Sequence, residues 1–311
     1  MGAATLSSRA IIGEFFNRLE QNDGAGYINR ITTEPFKSDQ AGEEYRWLGM
    51  SPAMREWISG RVAKGFRENG ITIKNVPFEA TLEVLVDEIR RDKTQQVMTR
   101  VREMADRANS HWAKLVSALL LTGESAVCYD GQFFFDTDHA EGDSGTQSND
   151  LTYNVTTPSA PTAAEAEAAV LKSVEAMLGL KDDQGEPMNE EASDFLVMVP
   201  VPFMGAFAAA LKNPVIVDGS GARTNTIVNI GGFSFQLVTN PRLTWTDKFA
   251  TFRADANTKP IIRQEEVPLE ISAVAEGSEL EFNDRKHHYG VFAQRNVGFG
   301  YWQHAVLTTL T

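Results

Sequence analysis

The sequence predicts an α+β protein, and two observations carry that expectation. Residues 88–122 repeat apolar side chains at helical spacing along their whole length, while strand-like runs crowd the C-terminal half without strict βαβ alternation or internal repeat. At 311 residues and 34.3 kDa, 42% hydrophobic and 23% charged, the chain is long enough for one large domain or two modest ones with a real core.

In chain order, Ile11, Ile12, Phe15, Phe16 and Leu19 predict an amphipathic helix over residues 6–21, able to dock on a neighbour or on its own core. From Tyr45 to Asp92 the composition turns mixed, and ITIKNVPFEATLEVLV alternates like two strands around Asn75-Val76-Pro77. Four glycines interrupt this stretch, and Trp47 and Trp57 have little local core to bury in, so it reads as an extended arm. Val97, Val101, Met104, Ala108, Trp112, Leu115 and Leu119 then step by three or four, predicting one apolar stripe on a single helix of roughly 45 Å. Gly123 closes it.

Next, CYDGQFFFDTDH leads into a Gly/Ser/Thr/Asn/Asp-rich stretch that reads as surface loop. Thr162 and Glu165 form a capping box for a helix over 163–178, with Val170, Leu171, Val174 and Leu178 as its buried stripe. FLVMVPV at 195–201 is a buried-strand run, and Pro202 opens another helix. Further strands are expected at Thr226–Ile230, Phe233–Thr239, Phe249–Arg253, Ile261–Arg263, Leu269–Ala273 and Tyr289–Leu307.

The formal charge of −13 is local. Residues 1–120 hold 17 Lys+Arg against 16 Asp+Glu, residues 195–311 hold 10 against 10, and residues 124–194 hold 2 against 16. No broad basic surface exists for sequence-independent phosphate binding, which disfavours a nucleic-acid enzyme. The single Cys128 forms no intrachain disulfide, suiting a reducing compartment, and no Cys/His set has zinc-ligand spacing. Neither a signal peptide nor a membrane span is expected.

Catalytic motifs are absent, and His111, His139, His287, His288 and His304 are the only histidines. His111 is expected to pack or to face solvent, and His287 and His288 to point to opposite faces of a strand. The best enzyme candidate is the cluster Asp130, Asp136, Asp138, His139, Glu141 and Asp143 around Cys128. Its spacing misses the calcium-loop pattern, and a solvated acidic loop is the simpler reading. Flanking acids also argue against a nucleophilic thiol.

YRWLG at 45–49, MREW at 54–57, N-x-x-FEATLEV at 75–84, CYDGQFFFDTDH at 128–139 and YGVFAQRNVGFGYWQHAV at 289–306 resemble the Mu-like phage major head subunit family. Residues 140–194 align with no family pattern. The resemblance implies the Hong Kong 97-like capsid fold: an N-arm, an extended β-hairpin loop, a long spine helix, and peripheral and axial domains. It assigns residues 1–40 to the N-terminal arm, 41–87 to the extended-loop region and 88–122 to the spine helix of the peripheral domain. Residues 123–162 become an acidic loop and connection, 163–260 the axial domain, and 261–311 strands returning to the peripheral domain.

On that resemblance no cofactor, metal or catalytic residue is expected, and the useful contacts are between copies. Trp47, Trp57, Ile71, Ile73 and Phe78 would lie over an adjacent subunit, and Phe15 and Phe16 would bring the N-terminal helix onto another. The expected partners are further copies in pentamers and hexamers of an icosahedral shell, a separate scaffolding protein, a portal, and packaged double-stranded DNA without sequence-specific contact. Lys74 sits like lysines that cross-link some relatives, without an identifiable acceptor. Acidic residues 140–162 and 181–194 are expected as exposed loops away from the seams. The alternatives are an encapsulin-like compartment, a metal-dependent enzyme using the acidic loop, and a tail-tube protein.

Overall fold

The computed structural model describes residues 7–22, 24–45, 70–91, 95–219 and 221–311. Ser7 caps α1 (Ser8–Gln21) by accepting from the Ala10 N–H. After α2 (Ile28–Ile31) come the short strands β1 (Phe36–Lys37), β2 (Gly42–Tyr45) and β3 (Ile71–Lys74), then β4 (Val76–Leu85). Three helices follow, α3 (Val86–Arg91), α4 (Gln96–Asn109) and α5 (His111–Leu121).

The long apolar repeat is thus not one described helix. On α4 the expected Val97 and Val101 face inward together with Ala105, but on α5 the buried face is out of phase with the sequence reading, with Ala113, Val116 and Leu120 inward. Met104, Ala108, Trp112, Leu115 and Leu119 lie half-buried beside that line. The reason is that the two helices serve different cores. The α4 face packs on α1 and β4, whereas α5 packs under the second half of the chain. A stripe that steps by four drifts around a 3.6-residue helix, which carries the buried line from one core to the other.

Helix α1 docks on its own chain, contrary to an arm reserved for a neighbour. Ile11 and Phe15 are fully buried with Val97, Val101 and Ala105. Arg18 makes a two-pronged ion pair with Asp106 at 2.9 Å, Arg102 pairs with Glu14, and the Asn109 amide donates to Leu19 and Asn22 carbonyls.

The remaining elements are β5 (His139–Ala140), β6 (Thr146–Gln147), β7 (Asp150–Tyr153), α6 (Ala163–Gly179), β8 (Asp194–Val199), α7 (Met204–Lys212), β9 (Val215–Asp218) and β10 (Gly221–Thr224). Then come α8 (Thr226–Asn229), β11 (Ser234–Thr239), β12 (Lys248–Arg253), β13 (Ile261–Val274), α9 (Glu279–Asp284), β14 (Lys286–Phe299) and β15 (Ala305–Leu310). The Thr162–Glu165 capping box opens α6. Residues 226–229 are helical and not a strand, because Asn225 caps them. Its side chain accepts from Ile227 N–H while its amide holds the Ala210 and Asn213 carbonyls, and buried Glu167 accepts from Thr226 N–H.

Two sheets organise the chain. One has the order β1-β13-β14-β4, the other β11-β8-β12-β15-β7. Strand β8 is buried on both faces: Val197 and Val199 meet α6 and α7, while Leu196 and Met198 face the core beneath α5. Strands β2 and β3 pair antiparallel within the region expected as an extended hairpin, while β4 pairs with β14. The pairing corrects two expectations. The runs at 261–263 and 269–273 are one bulged strand, β13. The run 289–307 is two strands in different sheets, so residues 261–311 do not all return to one unit.

Gly300 marks the crossing. A Cβ there would stand 2.5 Å from the Lys259 carbonyl oxygen, a backbone atom that cannot swing away. Gly300→Ala is expected to cost about 1–3 kcal/mol in urea unfolding, the range of an overpacked site. Gly205→Ala, with open space around it in α7, is expected to be neutral or slightly stabilising. Equal midpoints for the two variants would remove the close approach as a constraint.

Candidate assembly surfaces and the junction that positions them

The two most specific sequence blocks, 128–139 and 289–306, fold onto each other. Phe134 stacks on Phe299 with centroids 4.1 Å apart, and His139 lies flat on the Trp302 indole at 3.9 Å and 7°. Tyr129 donates to Gln303 Oε1 at 3.1 Å, and Cys128 Sγ meets the Gly300 carbonyl. His139 Nδ1 faces Asp130 at 2.6 Å and Nε2 faces Asn149 Oδ1. Asn149, fully buried, donates to the carbonyls of Phe134, Trp302 and Ala305 and accepts from Asp136 N–H. One amide thereby pins the loop to the start of β15.

Asn189 does the same on the other side. Its amide donates to Met177 and Gln303 carbonyls, leaving Oδ1 to accept from His304 Nδ1 at 2.9 Å and from Arg253. Thr258 donates to His304 Nε2 at 2.8 Å. His304 is therefore held as the neutral Nδ1–H tautomer. Burial, then the charges of Arg253 and Lys259, pull its pKa down to about 3.

The acidic stretch is only partly solvated. Glu141 and Asp182 are buried, and the two acidic loops touch: Asp143 N–H donates to the Asp183 carbonyl, and the Gln147 side chain brackets the Lys181 backbone. Asp143, Glu186, Glu190 and Glu191 stay exposed. Among the described residues no group of three His, Cys, Asp or Glu is placed to hold a metal ion. Burial, then the charge of Asp130, pushes the Cys128 thiol up, away from nucleophilic character.

A second polar anchor fixes the base of the arm. Tyr45 donates to Gln264 Oε1 at 2.8 Å, and the Gln264 amide reaches the Ile73 carbonyl and Asn75 Oδ1. The Asn75 amide in turn holds Ser38 Oγ and the Gln40 carbonyl. The β2–β3 stem is thereby locked to β13. Beside it Arg295 lies 4.6 Å over the Trp112 ring and donates to His111 Nδ1, while Phe78 meets His111 edge-on. Burial and then Arg295 draw the His111 pKa down to about 4.

The expected assembly residues separate on this geometry. Phe15 and Ile73 are interior residues of this chain, the first among α1 and α4, the second against Gly298, so neither is available to a neighbour. Ile71 and Phe78 are half-buried and Phe16 is 39% exposed. Trp47 and Trp57 lie outside the described residues. The junction residues Asn149, Asn189 and Trp302 were missed as a group, although the block sequences containing Asn149's partners were singled out. His287 is buried beside Tyr289 and His288 reaches Glu83 on the other face, as alternation requires.

Because His304 titrates below its ordinary 6.5 in the folded chain, it contributes stability that is full above pH 6.5 and is lost as pH falls toward about 3. Urea midpoints measured from pH 7.5 to 4 are expected to fall for the native chain. His304→Gln should start lower at pH 7.5 and decline less steeply. Parallel profiles would exclude His304 as a source of the slope.

The family model for the Mu-like prophage major head subunit gpT matches residues 12–162 and 236–310, so residues 140–162, read from the sequence as outside the family pattern, fall within it. Over 106 residues the chain is 34% identical to the Mu-like prophage FluMu major head subunit of Haemophilus influenzae, a stretch covering 34% of each chain. Over 117 residues it is 32% identical to the major capsid protein of Escherichia phage Mu, covering 38% of each. The matched stretches therefore span little more than a third of these curated relatives. In three dimensions it resembles the procapsid of bacteriophage JBD30 with a TM-score of 0.55 at 23% identity, over 98% of this chain and 76% of that one. No described helix is long and apolar enough to cross a membrane. With the two sheets of the Hong Kong 97-like capsid fold and a match across both signature blocks, the chain belongs to the Mu-like prophage major head subunit family.

Proposed function

We propose that this chain is the shell subunit of a tailed-bacteriophage or Mu-like prophage head, assembling as pentamers and hexamers of an icosahedral capsid around double-stranded DNA. The observation that carries the reading is the family match across the blocks that build the buried junction. A shell subunit must present its contact surfaces in a fixed relation, and the buried hydrogen bonds of Asn149 and Asn189 across the junction supply that rigidity. The anchored β2–β3 stem brackets residues 46–69, which hold Trp47 and Trp57, and so fixes where that segment leaves the body.

Further contacts between copies fall to the apolar side chains Val201, Met204, Val215, Val217 and Val228, all exposed on neighbouring elements around α7, α8 and β9. The near-neutral balance outside 124–194 avoids repulsion at repeated contacts. The concentration of acidic residues in 124–194 gives that region no bed for phosphate, and packaged DNA is enclosed without sequence-specific contact. A separate scaffolding protein and a portal complete the assembly, which takes place in the bacterial host cytoplasm, and the subunit itself carries no catalytic role.

Electron microscopy of the purified full chain is expected to show uniform icosahedral shells, and particles recovered from phage-producing cells should hold nuclease-protected DNA. A chain that stays monomeric under all assembly conditions would overturn the proposal. Replacing residues 47–69 by a short Gly-Ser link leaves β3 and β4 in place; closed shells should then be lost while the thermal melt is retained. Normal shells from that variant would refute the role of the arm.

A further inference from the structure

Helix α9 sits at the turn between β13 and β14 and holds Phe282 with 87% of its surface exposed. An aromatic side chain left this far in water is unusual away from a contact surface. Exposed Glu279 and Asp284 flank it, and no Lys or Arg occurs between Glu276 and Asp284. The turn itself is held firmly. Ser278 caps α9, Gly277 N–H donates to Glu281 at 2.7 Å, and Ser8 N–H donates to Glu276. Phe282 is therefore an acidic, aromatic knob on a fixed support.

The opposite shape lies between α4 and the β4–β14 face: a groove of about 670 Å³. Leu82, Leu269 and Val291 contribute apolar surface to it, and five cations, Arg100, Arg107, Lys114, Arg242 and Arg295, line it together with two carboxylates. Arg295 is paired with Glu265. The other four are exposed, and none of them is in an ion pair among the described residues. The groove is large enough for an aromatic ring with its flanking backbone.

We propose that the groove of one copy receives Phe282 of a second copy, with Glu279 and Asp284 facing Arg100 and Arg107. This rests on the self-assembly reading above. The contact is between copies because α9 is tied through β14 to the same sheet that forms the groove wall. It is a heterologous contact, joining different patches of the two copies, and such contacts propagate into rings or shells. Charge also selects the occupant. Residues 46–69 carry five Lys+Arg against two Asp+Glu and would be repelled, whereas the α9 turn holds Glu276, Glu279, Glu281 and Asp284 against Arg285 alone, which is paired with Asp87.

The test mixes full-length Phe282→Cys and Arg107→Cys chains before assembly, the native Cys128 being buried and silent. Mild oxidation should give a dimer band on a denaturing gel from the mixture and none from either variant alone. Glu279→Lys and Arg107→Glu should each slow DNA-free assembly roughly tenfold, and the double variant should recover most of that loss. Native shells that form while the mixture gives no dimer, with Phe282→Ser assembling at the native rate, would overturn this contact and leave the capsid reading standing. Loss of DNA retention by Arg107→Glu without slower DNA-free assembly would assign the groove to phosphate instead. A native chain that never assembles would overturn both readings.

Discussion

The chain passes from one sheet to the other in the few residues between Phe299 and Ala305, and the architecture depends on that crossing being held. Trp302 fills it, fully buried and stacked on His139, while Gly300 lets the backbone pass within van der Waals reach of Lys259. A crossing of this kind exposes backbone polar groups that neither sheet can pair. Left unsatisfied inside the protein, each would cost on the order of 1–3 kcal/mol.

Neutral amides solve that problem here. At the crossing, fully buried Asn149 donates to the Trp302 and Ala305 carbonyls and Asn189 to that of Gln303, and elsewhere buried Asn225 and Gln264 hold other segments in the same way. An amide offers two donors and an acceptor without the desolvation cost of an ion. Ionisable groups are used where a partner is supplied, as between Asp130 and His139 or Glu167 and Arg223. The acidic region is therefore two things at once: a buried polar clamp at Asp130, Glu141 and Asp182, and a solvated rim around it.

Such rigidity suits the proposed shell subunit, whose contacts must be presented in a fixed relation. The anchored stem of the arm, the exposed apolar side chains around α7 and the α9 knob project from different parts of one body, and their relative positions are set by the crossing and by the Gln264 network.

Local chemistry made much of this legible in the amino-acid order. The capping box of α6, the apolar run of β8, the amphipathic α1 and the charge confined to 124–194 are properties of neighbouring residues, and they hold wherever the chain folds. Family likeness named the two blocks of the junction without saying that they touch. Tertiary structure alone decided which strands pair, since β3 and β4 have equally good patterns for a hairpin yet find other partners. It also turned the β-branched run at 226–229 into a helix through a distant cap, shifted the buried line of α5, and split 289–307 between two sheets. In each case the deciding contact lies far away along the chain, and periodicity within a segment reports only what that segment would prefer alone.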